Sequence, residues 1–278
     1  MESMLACRER IRSPIVAGMF YPEDKKETIN FIRGFGLEKG KGGHAQAIIA
    51  PHGAWGFSGA LAGAAFSAAM GRSGSISRVV VLGPIHDKRE EGIFLSNSHF
   101  FYTPLGNIPV DQEISEELEC CGNYFEINDI PHLGEHSIEI LLPFVKYCFP
   151  NASIVPVLMG HPKPEYIFDL AQALKAVISP ILDETLLVVS CNLSCSANKT
   201  TARLLAEECL RLFYEKDSSA LSSAIMAGRL NTCGAGLAAG LFQSGLLDKK
   251  QSCSFAENML SAVGSEDNTV FYGAVSFE

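Results

Sequence analysis

The chain has 278 residues, 47% of them hydrophobic and only 19% charged, and its 22 basic and 31 acidic side chains give a formal net charge of −9. That apolarity excludes a disordered segment, a collagen-like repeat and a small disulfide-stapled scaffold. The acidic balance argues against a nucleic-acid or membrane partner, since either needs a basic face.

In chain order, residues 1–14 carry Arg8, Arg10 and Arg12 with no apolar run behind them, so no secretory signal is read there. The nine cysteines are odd in number and scattered. They predict a cytoplasmic protein with reduced thiols, most of them packed as small hydrophobes. Short, nearly continuous apolar runs at 45–50, 78–82, 153–159 and 185–191 suit strands buried on both faces. Helical spacing falls between and after them, at 58–70, 111–121, 137–148, 164–178, 202–214, 218–226 and 234–247, and 269–277 reads as a closing strand. Alternating strands and helices predict an α/β fold, a central mostly parallel or mixed sheet flanked by helices. The weakly polar stretch 59–71 is too short to span a bilayer. The Gly/Lys loop at 38–43 and the Gly/Ser connection at 71–77 are too short to be domain linkers, so one domain is expected over residues 1–278.

Several motifs fail on inspection. Gly40-Lys41 is followed by Gly42 where a phosphate loop needs Ser or Thr. The run Cys233-Gly234-Ala235-Gly236-Leu237-Ala238-Ala239-Gly240 has its third glycine one residue late for a dinucleotide loop, and a helical segment precedes it. No HExxH, GxSxG or paired CxxC occurs.

Polar residues gather instead where strands end. The run 47–50 leads into Pro51-His52-Gly53, and the run 79–82 into Gly83-Pro84-Ile85-His86-Asp87. Loops at the carboxyl ends of parallel strands collect ligand groups. Neutral imidazole suits iron, copper and zinc alike, so His52 and His86 are candidate metal ligands. The alternative is that each ring only anchors a turn. In Glu135-His136-Ser137-Ile138-Glu139 the two acids read as caps of a helix from Ser137, and His136 is left for substrate or for contacts behind a ligand. Cys233 precedes a helix, where unpaired N–H groups favour a thiolate.

Taken together, these segments resemble the Memo family, itself distantly similar to class III extradiol dioxygenases of the LigB type. The resemblance covers nearly the whole chain. It is carried by Ser13-Pro14-Ile15-Val16-Ala17-Gly18-Met19-Phe20-Tyr21-Pro22, the Pro51-His52 and Gly83-Pro84-Ile85-His86 loops, and Tyr102-Thr103-Pro104-Leu105-Gly106. It continues through Asp111-Gln112, Glu135-His136-Ser137-Ile138-Glu139, Ile154-Val155-Pro156-Val157-Leu158 and Thr232-Cys233-Gly234, with a looser match over 255–272.

The resemblance implies a mononuclear metal centre on His52, His86 and Cys233, with iron or copper foremost and zinc an option. It further implies a pocket lined by His136, Asn192 and Cys195, and redox or oxygen chemistry on a small molecule in the cleft. Prokaryotic relatives resemble partners of a radical-SAM enzyme and an AMMECR-type protein, so such partners are an expectation here.

One departure weighs against dioxygenase-like turnover. Where relatives read close to Ser-Asp-Phe-Ser-His, this chain has Asn192 for the acid and Cys195 for the histidine. An amide cannot titrate, and an ordinary thiol is a poor acid/base at neutral pH. The alternative is therefore a scaffold that binds a peptide or protein in the cleft without chemistry. A third reading, a thiol-redox pair, uses Cys191 and Cys195 at a spacing that one helical face permits.

Overall fold

Apolar runs buried on both faces set the architecture. The computed structural model describes residues 9–37, 42–247 and 269–278, together with the backbone of Cys253–Phe255 and Ser261–Val263. Gly40-Lys41 and most of 255–272 lie outside the described residues. Among those described, eight strands form the main sheet: β1 Ala47–Ala50, β2 Arg78–Pro84, β3 Ile93–Leu95, β4 Phe125–Ile127, β5 Ser153–Met159, β6 Thr185–Ser190, β7 Cys253–Phe255 and β8 Val275–Phe277. Their spatial order is β7-β8-β1-β6-β2-β5-β3-β4. The central strands β1, β6, β2 and β5 are parallel, while β8 on β1 and β3 on β5 pair antiparallel. This is the mixed sheet flanked by helices that the alternating runs imply.

Side chains alternate across the sheet between two cores. Ile48, Ala50, Val79 and Val81 face one, which the helices Lys25–Gly34, Trp55–Ser67 and Leu142–Cys148 cover. Ala47, Ile49, Val80 and Leu82 face the other, under the helices Pro164–Ile178, Lys199–Glu215 and Ala235–Ser244. Burial on both faces is why these strands read as continuous apolar runs rather than alternating ones. The glycines of 233–240 serve helix packing. A Cβ on Gly236 would stand 2.6 Å from Pro162, and one on Gly240 would stand 2.7 Å from Leu170.

Some expectations change. The closing strand at 269–277 is two strands in different sheets: Thr269–Tyr272 pairs with Ser194–Ser196, and β8 pairs with β1. They separate at Gly273-Ala274, where a Cβ on Gly273 would meet Leu193 at 2.5 Å. The helix expected at 137–148 is α-helical only over Leu142–Cys148, after a 3-10 turn at Glu139–Leu141. Pro143, which has no N–H to give, sits in its first turn. Lys25–Gly34 and Asp129–Gly134 are helices beyond those expected; Asp24 caps the first by accepting from the N–H groups of Lys26 and Glu27, and Asn128 caps the second. No helix among the described residues is long and apolar enough to cross a membrane.

His132 of that second helix is buried, and its Nε2 lies 3.1 Å from the Phe94 carbonyl. Burial pushes its pKa down to about 4, with the Phe94 carbonyl and Asp129 opposing and Arg12 assisting. Below pH ~6.5 the unfolded ring takes up a proton that the folded ring refuses until about pH 4, so acid favours unfolding across that window. The expected cost between those limits is about 3 kcal/mol. His132→Gln, which keeps a donor but does not titrate, should flatten that part of the stability profile, as read from urea midpoints at successive pH values. An unchanged slope would count against this assignment.

Candidate metal centre

The chain adds β1, then β2 and β5, and returns to insert β6 between β1 and β2. The carboxyl ends of β1, β6 and β2 therefore lie side by side where the direction of strand addition reverses, a standard place for a ligand crevice in α/β sheets. His52 follows β1, His86 follows β2, and Cys191-Asn192 follows β6. Cys233 enters from the other side, just before Gly234 at the start of the helix Ala235–Ser244. Gly234 permits that approach, because a Cβ there would stand 2.4 Å from the Ser190 carbonyl oxygen. The Cys233 Sγ lies 3.4 Å from His52 Nε2, and one ligand atom from each of His52, His86 and Cys233 falls within 4.8 Å of the others.

Hydrogen bonds fix which ring nitrogens face inward. Ser190 Oγ donates to the Ser137 carbonyl at 2.7 Å, so it has no further proton and accepts from His52 Nδ1, also at 2.7 Å. The lone pair of His52 is thereby on Nε2, beside the sulfur. His86 Nδ1 lies 3.0 and 3.1 Å from the two Glu135 oxygens, which leaves its Nε2 for the centre. A carboxylate behind a ligating histidine orients the ring and raises its basicity.

Glu135 collects more than one ring. It accepts at 2.7 Å from the backbone N–H groups of His86, His136 and Ser137, and His136 Nδ1 is 3.2 Å away. Burial alone would push its carboxyl up, but His86 first and then His136 hold it at about 2. Contact with the Cys191 thiol leads the influences that hold the Cys233 sulfur well below the ordinary thiol range, and the imidazoles of His52 and His86 reinforce it against burial. Burial first and Cys233 second push the Cys191 thiol the other way. The Cys233 sulfur and then Glu135 push the His86 pKa up to about 10.

The remaining pocket candidates divide. The His136 ring stacks on His86 with centroids 5.0 Å apart and lies edge-on to Phe20. Burial lowers its pKa. Asn192 is committed to structure: its Oδ1 accepts the His52 N–H at 3.1 Å, an acceptor role that a carboxylate would also fill. Cys195 lies in the strand Ser194–Ser196, its backbone paired with Asn231, and outside the three-ligand cluster. Cys195 is thus in a strand and not on a helical face with Cys191, and the Cys191 thiol contacts Cys233. Beyond these expectations, Glu135, read from sequence as a cap, and Ser190 act behind the ligands; adjacency to His136 was the one cue to Glu135.

A cavity of about 550 Å³ opens beside the centre, with His86, Asn192, Cys195 and Cys233 in its wall. His52 closes the site from behind and is buried. Two imidazoles and a thiol converging at the strand ends of a mixed α/β sheet define a candidate mononuclear metal centre. The chain belongs to the Memo family: the family described as Memo-like protein matches residues 12–275. It is 31% identical over 247 residues to a "MEMO1 family protein" of Thermotoga neapolitana, covering 84% of this chain and 88% of the relative. It is 26% identical over 281 residues to one of Nitrosopumilus maritimus, covering 96% and 99%. Among solved structures, an uncharacterized protein of Escherichia coli K12 aligns with TM-score 0.49 and 12% identity, over 84% of this chain and 99% of that one.

Proposed function

We propose that this Memo-family chain holds one transition-metal ion on His52 Nε2, His86 Nε2 and Cys233 Sγ. The observation that carries the reading is the orientation of both rings from behind: Ser190 and Glu135 occupy the Nδ1 positions, so both Nε2 atoms face a sulfur that favours its thiolate. Three protein ligands leave coordination positions open toward the cavity. Iron or copper is the preferred occupant, and zinc also suits imidazole with thiolate. Bound iron or copper would supply redox or oxygen chemistry on a small molecule, while the chain positions the ligands and shapes the cavity.

The test is metal content after anaerobic purification. The wild-type protein should carry iron, copper or zinc near one equivalent, and the His52→Ala/His86→Ala/Cys233→Ala variant should carry little. Equal content in the two would sink the proposal. A scaffold reading is favoured by one observation: Asn192 and Cys195 supply no ordinary acid/base pair. Peptide binding in the cleft with affinity unaffected by Cys233→Ser would support that second reading.

A further inference from the structure

We infer that the cavity beside the proposed centre selects a small organic anion, a carboxylate with an apolar body, and that Lys88 is the specificity-determining residue. This rests on the reading of the cleft as the place where a small molecule meets the metal ligands. Its volume, about 550 Å³, lies in the range of small-molecule sites.

The wall combines apolar and cationic residues. Leu230, Ile225 and Val270 offer apolar surface, and Lys88 and His161 stand exposed in the same wall. No Asp or Glu lines the cavity among the described residues, although the chain has 31 of them. Of the acids nearby, Asp87 pairs with Arg89 at 2.6 Å and Glu91 with Lys163 at 2.7 Å, while Glu90 does not line the cavity. Among the described residues no carboxylate pairs with Lys88. Lys88 follows His86 by two residues and lines the same wall, so one loop sets both the proposed ligand and the cation. A positively charged cleft wall focuses the field on an incoming anion even when the whole protein is acidic.

The experiment is titration calorimetry of the chain with phenylbutyrate and its neutral amide, phenylbutyramide, with and without a chelator. Wild-type protein should bind the acid about two- to fivefold more tightly than the amide, the scale of a single exposed charge contact. Lys88→Gln should abolish that preference and Lys88→Arg should keep most of it. Chelation should remove the metal yet leave the preference, because the preference rests on Lys88 and not on the ion. Equal affinities for acid and amide, no binding of either, or a preference that survives Lys88→Gln would overturn the inference. Normal metal content with no preference sinks the anion assignment alone. An intact preference with no metal difference sinks the metal assignment alone.

Discussion

Glu135→Gln is expected to weaken metal binding about 10- to 100-fold, the usual effect of losing a carboxylate behind a ligating histidine. Glu135 receives donors on both oxygens: Oε1 takes the N–H groups of His136 and Ser137 and faces both imidazoles, and Oε2 takes the His86 N–H. An amide must turn its NH2 group toward one of those sets. Whichever way it turns, a donor meets a donor, and the His86 ring loses part of the hold that aims Nε2 at the cavity. Ser190→Ala removes a single acceptor from His52 Nδ1 and should cost less. Competition with a chelator of known affinity measures both effects, with thermal unfolding of the apo proteins as the control for stability. Wild-type affinity in a folded Glu135→Gln protein would show that Glu135 does not position the ligand.

The sheet was legible because burial on both faces erases polar alternation, leaving runs such as 78–82 that no surface element shows. The ligand loops were legible for a related reason: polar residues that follow such a run directly are placed at a strand end by topology, not by local preference. Ser190 and Glu135 were hidden. A serine that ends a strand and a glutamate near a helix start have common local uses, and only the return of β6 between β1 and β2 brings Ser190 against His52. Asn192 has a use that the sequence did not show: its side-chain oxygen accepts the His52 backbone N–H, a job to which charge is incidental. The short strands β3 and β4 gave little signal because three residues are too few to establish a period.

The second large effect is expected far from the cavity. Glu139→Ala should destabilise the fold by about 3–5 kcal/mol, the cost of leaving a buried charge without its partner. Arg12 and Glu139 form an ion pair with side chains 2% and 1% exposed. Arg12 also donates to the carbonyls of Ser13, His132 and Glu135, and Glu139 accepts from the N–H groups of Ile15 and Val16 and from the Tyr21 hydroxyl. The pair thus fastens the segment from Arg12 to Tyr21 onto the loop that carries Glu135 and His136. Neutralising both charges while keeping an acceptor, as in Arg12→Met/Glu139→Gln, should recover a large part of the loss, because no unpaired charge remains buried. Recovery should stay incomplete, since the carbonyls that Arg12 served are left without donors. Urea midpoints of the wild-type, single and double variants give the comparison. A Glu139→Ala loss under about 1 kcal/mol would mean that water reaches Arg12 and relieves it. The same loosening should reach the centre, because Phe20 of that segment packs edge-on against His136 and its carbonyl accepts the Trp55 N–H just after the His52 loop. Metal affinity in Glu139→Ala should therefore fall along with stability, whereas in Glu135→Gln it should fall out of proportion to it.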